Sequence, residues 1–156
     1  MGLNVKDIAP ELLRDMLSSG LSVEIEARGI SMFPTLVPRQ RLLVVPYGPG
    51  RKMRRGDIIA FVSGSRQLVA HRLVGVSGER LVTRGDSISA PDESILPGQV
   101  LGLVSKASVG RLWCRVDCVP QRVWGWLQMS TWPVSSRVNH ALALVAYRVV
   151  KIIGLR

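Results

Sequence analysis

From Leu21 to about Val116 the chain is a succession of short apolar runs, each stopped by Gly, Pro or Asp. That punctuation constrains the fold more than any other feature. A helix needs apolar residues at a period of about 3.6 over several turns, and no run in this stretch lasts long enough. "SVEIEA" alternates apolar and polar residues, as a half-buried strand does. "RLLVVP" is a brief apolar run ended by Pro46, and "DIIAFV", "QLVAHRLVGV", "ERLVTRG" and "QVLGLVSKASV" follow. Turns fall at "SGSR", "SGE" and "SAPDESILPG", and "GPGRKMRRGD" reads as a basic loop. Hydrophobic residues make up 47% of the chain and aromatics only 5%, so Val, Leu, Ile and Ala must fill the core. Several strands at this spacing predict a mainly β fold with a barrel or sandwich-like core.

Both flanks differ from this pattern. Residues 7–18 read as a short helix: Asp7 can cap it, Pro10 suits the first turn, and Ile8, Leu12 and Met16 recur at helical spacing. Gly20 stops it. Beyond Val116, Trp124, Trp126 and Trp132 join Trp113 in a short stretch, and "NHALALVAYRVVKIIGLR" reads as a helix with Arg148 and Lys151 on one side. The expected division is an N-terminal helical segment (1–20), a β-domain (21–116) and a helical, Trp-rich tail (117–156). At 156 residues the chain suits one domain with a real core.

The formal charge is +10. Such a surplus fits an anionic partner, either nucleic acid or an anionic membrane surface; a solvated basic surface without a dedicated partner is the other reading. Tryptophans beside a basic, apolar helix suit a membrane interface, and packing against the β-core is the alternative. "MGLNVKDIAPELLRDMLSSG" has no apolar h-region and does not read as a signal peptide. No stretch reaches the ~20 apolar residues needed for a span, because Arg148 and Lys151 interrupt the nearest approach. Cys114 and Cys118 would stand roughly 13 Å apart in a strand, too far for a disulfide without a turn between them. No Cys/His cluster suggests a metal, and no cofactor is expected.

Chemistry enters with "GISMFPTLVP", residues 29 to 38. Gly29 can take backbone angles closed to other residues, and Pro34 stiffens the chain after Phe33. Ser31 therefore sits on a bent, held segment, where a hydroxyl can stand out from the surface. His71 lies in the middle of the longest strand pattern, apolar on both sides. Asp86 follows a Gly at a strand end, and Asp92 lies six residues on in a Pro-containing loop. Each residue has a bland reading: a satisfied histidine, or acids that form turns. Together they are the inventory of a Ser-His-Asp hydrolase: a weak nucleophile, a base to take its proton, and a carboxylate to orient the base. The other histidine, His140, falls in the C-terminal helix with no polar neighbourhood.

The order of these stretches resembles signal peptidase I. "GISMFPTL" is similar to that family's serine box, "RRGDIIAFV" to the next, and "LVAHRLVGV" and "TRGDSISAPDE" to the two after it. The resemblance runs from about residue 22 to 104. Where the bacterial branch carries a lysine base, His71 stands here, so the chain resembles the histidine-using branch of the endoplasmic reticulum, archaea and some bacteria. That branch has an acidic box GDxxxxxD, which Gly85, Asp86 and Asp92 match. The resemblance implies a signal peptidase/LexA-like catalytic β-core. It implies Ser31 as nucleophile, His71 as base, and Asp92 with Asp86 as supporting acids. The Ser31 N–H would help form the oxyanion hole. Some members place a serine hydroxyl where Gly29 stands, which this chain cannot do. The substrate would be a peptide or preprotein, bound as an added strand with small side chains before the cut. Gly29, Ile30, Met32 and Phe33 would line its floor.

The expected function is thus a serine endopeptidase that removes a leader or signal peptide. Usual members carry a transmembrane anchor before the serine box, and a short helix stands here instead. A peptidase dedicated to one exported or modified peptide accommodates that difference, either cytoplasmic or peripherally bound to an anionic membrane, with no nucleic-acid partner. A self-cleaving LexA-like protein is the competing enzyme, though those use a lysine base. A catalytically idle membrane-binding module is the competing non-enzyme.

Overall fold

The computed structural model describes residues 9–48, 53–92, 94–131 and 134–153. A helix, α1 (Pro10–Ser18), leads into strands β1 (Val23–Glu26), β2 (Arg41–Pro46), β3 (Ile58–Val62), β4 (Leu68–Ser77), β5 (Arg80–Arg84), β6 (Val100–Val109) and β7 (Leu112–Arg115). Helices α2 (Val119–Ser130) and α3 (Val134–Ile153) follow. The strands form one antiparallel sheet in the order β1-β2-β6-β3-β4-β5, with β7 paired to β6. β6 lies at its centre, bonded to β2 along one edge and to β3 and then β7 along the other. The chain is mainly β, with a short N-terminal helix and a helical C-terminus, as the punctuation predicts.

The apolar runs explain which strands are buried. In β3, Ile58 and Ala60 join one apolar cluster while Ile59 and Phe61 join a second. Successive side chains point to opposite faces, so an unbroken apolar run is what a strand covered on both faces requires. β1, β2 and β6 add Val23, Ile25, Leu42, Val44, Leu101 and Val104 to the first cluster; Leu73, Leu81 and Leu103 belong to the second.

The N-terminal helix departs from the expected face. It buries Leu13 and Leu17, while Leu12 is 52% exposed. The buried pair is the i, i+4 set one position on, because that is the side the sheet meets. Asp7 and Ile8, the expected cap and first apolar position, lie outside the described residues. Pro10 does stand in the first turn. Gly20, with φ of 83°, ends the helix as a left-handed cap, with Gly20 N–H donating to the Leu17 carbonyl and Leu21 N–H to that of Met16.

Strand β7 is not anticipated: the last run read in the sequence ends at Val109, and β7 follows it across the turn at Gly110–Arg111. Trp113 lies on β7, under the guanidinium of Arg41 at 5.0 Å from its ring centroid, and so belongs to the sheet rather than to the helical tail. Trp124 and Trp126 are exposed on α2, and Trp132 lies outside the described residues. Cys114 and Cys118 are free thiols.

Candidate active site

The serine bend lies between β1 and β2. Gly29 has φ of 79°, a left-handed conformation that reverses the chain just before the serine. Phe33 N–H then donates to the Ile30 carbonyl and Leu36 N–H to that of Met32, and the Phe33–Pro34 peptide bond is cis. Ser31 is half-buried on these overlapping turns.

His71 reaches it from the middle of β4, where it pairs with Ile59 of β3. Its Nε2 lies 2.9 Å from Ser31 Oγ, and its Nδ1 lies 2.6 Å from Asp92 Oδ2. In the neutral tautomer protonated at Nδ1, the serine hydroxyl donates to Nε2 while Nδ1–H donates to the carboxylate. The Phe61 ring stands edge-on to the imidazole. Asp92 is fixed in turn: its N–H donates to the Thr83 carbonyl at 2.9 Å, and the Thr83 hydroxyl donates to Oδ2 at 2.7 Å. Burial pushes the Asp92 carboxyl up, but the hydrogen bond and charge of His71, the Thr83 hydroxyl and the Arg84 charge outweigh it. They hold the group below the usual carboxylate range. Asp92 therefore stays an acceptor beside the imidazole. A hydroxyl, a base and an ionised carboxylate in one hydrogen-bonded line can move a proton off the hydroxyl as it attacks a carbonyl.

Asp86 has a different setting. It faces Arg72, the neighbour of His71 on β4. Arg72 Nε donates to Oδ1 at 2.8 Å and Nη2 to Oδ2 at 2.7 Å, a two-pronged pair buried to within a few percent on both sides. Nη1 donates to the Gly56 carbonyl, and Nη2 also donates to Thr35 Oγ1. The Thr35 hydroxyl donates to Asp86 Oδ2 at 2.5 Å. Asp86 thus ties the serine loop to the strand of the base. Its flanking residues grip the bend directly: Ser87 N–H donates to the Ser31 carbonyl at 2.9 Å, and Ser87 Oγ to the Ile30 carbonyl at 2.7 Å.

Arg72, Thr35, Thr83 and Ser87 are the members that sequence reasoning missed. Arg72 carries a signal in retrospect, since a charge flanked by apolar residues within a buried strand demands a partner. The others are hydroxyls in ordinary strand or turn positions, and nothing in their spacing marks them.

A cleft of about 670 Å³ opens beside Ser31 and His71. One wall is Ile25–Gly29 and the other is Arg66–Ala70, with Met32, Leu36 and Leu42 as an apolar floor. Of the expected floor residues, Gly29 and Met32 line it; Ile30 and Phe33 do not. His140 is exposed on α3. Among the described residues, no group of three His, Cys, Asp or Glu side chains could hold a metal ion. Among them, too, no helix is long and apolar enough to cross a membrane.

An antiparallel sheet that carries this site beside an open cleft has the character of a peptidase. The chain belongs to the signal peptidase family, peptidase S26, whose family model matches residues 13–100. That match takes in the serine bend, β4 and the loop of both acids. Neither the curated proteins nor the solved structures contain a match to the chain.

Proposed function

We propose that the protein is a serine endopeptidase of signal peptidase type that cuts a leader peptide after small residues through Ser31, His71 and Asp92. The observation that carries this reading is the continuous line Ser31 Oγ–His71 Nε2, His71 Nδ1–Asp92 Oδ2, at 2.9 and 2.6 Å, beside the cleft. The substrate lies extended between the segments 25–29 and 66–70, with its small side chains toward Met32 and Leu36. Ser31 Oγ attacks the scissile carbonyl as His71 takes its proton. Asp92 stabilises the imidazolium, which then protonates the leaving amine. Water, activated by the same imidazole, releases the acyl group. The Ser31 N–H makes no backbone hydrogen bond among the described residues and serves the oxyanion. Asp86 holds the bend rather than the base.

Incubation with a fluorophosphonate tests this reading. Parent protein should gain one adduct, mapped to Ser31. Ser31→Ala should gain none, and should lose cleavage of a small-residue peptide by on the order of 10⁴-fold or more. Undiminished cleavage by Ser31→Ala ends the proposal. Fragments of the protein itself appearing on incubation would support self-cleavage instead.

The peripheral-membrane part of the reading rests on α2 and α3. After Asp117 the sequence holds five Lys or Arg residues and no Asp or Glu. Val123, Trp124, Trp126, Leu127, Leu142 and Val145 are exposed on these helices. An apolar, wholly cationic helix pair suits an anionic lipid surface. Vesicles with an anionic lipid should sediment the protein at low salt, and Trp124→Ser with Trp126→Ser should weaken this. Equal binding to neutral vesicles, or none to either, overturns it.

A further inference from the structure

The C-terminal helices meet the β-domain at the ion pair behind the nucleophile. Gly125 of α2 is buried, and a Cβ placed there would come within 2.5 Å of Arg72 Nη1 and 2.8 Å of its Cδ and Cζ. Only bare backbone fits against the guanidinium. About one turn earlier, Arg122 Nε donates to the buried carboxylate of Asp57 at 2.6 Å. The Arg122 backbone lies against Gly56, whose carbonyl accepts from Arg72 Nη1. From α3, Asn139 Nδ2 donates to the backbone carbonyl of Asp86 at 3.4 Å. One helix therefore covers the cation of the pair, and the other holds the chain of its anion.

A guanidinium–carboxylate pair is held strongly where water is kept out, and hydration competes with it where water enters. Asp86 belongs to the loop 85–87 that grips the Ser31 and Ile30 carbonyls. We infer that Gly125 and Asn139 are positioning residues for Ser31: they keep the Arg72–Asp86 pair dry and in register, and the pair keeps the nucleophile's backbone in place. This rests on the peptidase reading. Among the described residues, the cleft is lined by those between Pro10 and His71 and by none from α2 or α3. The contribution of these helices therefore falls on the rate of attack and not on substrate binding.

The experiment uses the full chain, with Gly125→Leu and Asn139→Ala made singly and each combined with Asp86→Asn. It measures the fluorophosphonate acylation rate of Ser31 together with kcat and KM for a reporter peptide. Each single substitution should lower acylation and kcat by about tenfold with KM within about twofold. In the Asp86→Asn background the same substitution should cost less than about twofold, because the route through the pair is already broken. Leu112→Ser, at an exposed position on β7, should react at the parent rate. Losses that add in full to that of Asp86→Asn, or a raised KM with kcat unchanged, overturn the inference. If Gly125→Leu does not fold, Asn139→Ala, which removes the donor to the Asp86 carbonyl, decides the matter alone. Failure of the parent to be acylated would sink the peptidase reading; a reactive parent with unaffected variants sinks this inference alone.

Discussion

Gly85 lies so close to the Ser31 carbonyl that a Cβ on it would come within 2.6 Å of the oxygen. The contact is backbone to backbone, so neither side can swing away. Gly85→Ala is expected to push the bend outward and lengthen the Ser31–His71 hydrogen bond. A misplacement of this kind lowers kcat by roughly 10²-fold. Steady-state kinetics beside a thermal melt checks this; parent kcat in the variant would mean that the 85–87 loop does not set the nucleophile.

The base is expected to be specific to imidazole. A lysine at position 71 would have to be neutral to take the serine proton, against an ordinary pKa of ~10.4. In this setting the ionised Asp92 favours its charged form. His71→Lys should therefore be nearly inactive at pH 7, by on the order of 10³-fold, with its fold retained by circular dichroism. A lysine variant that cuts as well as the parent would remove His71 from the mechanism.

Asp92 carries a stability signature. Its folded carboxyl is held below the ordinary carboxylate range by His71, Thr83 and Arg84 against the opposing effect of burial. A carboxyl depressed in this sense stabilises the fold fully above its unfolded pKa of ~3.9, and the stabilisation disappears as pH falls through the lower folded value. Urea unfolding of parent and Asp92→Asn should thus differ fully above about pH 5 and converge only as pH falls below the ordinary ~3.9 and through the lower folded value. The variant's kcat should fall by roughly 10²- to 10⁴-fold, since an amide cannot stabilise the imidazolium. A stability gap that widens toward low pH would contradict the assignment.

Arg72 and Asp86 should matter to folding as well as to rate. Arg72→Ala leaves the Asp86 carboxylate buried without its main partner, at a cost of about 3–5 kcal/mol. Asp86→Asn should cost less, because the amide oxygen still accepts a bond, yet it should lose more stability than Asp92→Asn does at pH 7. Chemical denaturation of the three variants ranks them, and an Asp92→Asn protein less stable than Asp86→Asn reverses the division of labour between the two acids.

The β-rich core was legible because its runs are strand-length and their stops are Gly, Pro and Asp. The three residues of the hydrogen-bonded line were also legible, each as a polar residue with a bent or apolar surrounding. What holds them was much less so. Thr83 and Ser87 act through bonds to residues far away in the chain, and a hydroxyl carries no periodic mark. The seating of α2 depends on the absence of a side chain at Gly125, which in sequence looks like an interruption in a helix. The α1 face was misjudged by one position because amphipathic spacing alone cannot say which of two adjacent stripes the sheet will meet.

Strand β6 has a consequence for the order in which the enzyme comes into being. Ser31 sits between β1 and β2, while His71 and Asp92 belong to the β3–β4–β5 side, and among the described residues strand pairing joins these two portions only through β6. On the ribosome, Ser31 and His71 are both made well before the strand that brings their halves into one sheet. Until residues 100–109 have emerged and paired, the serine and the histidine belong to separate hairpins. Long-range pairing of this kind is slow compared with local hairpin closure. The two halves of the site are thus brought into one sheet only when residues 100–109 arrive, well after both have been made.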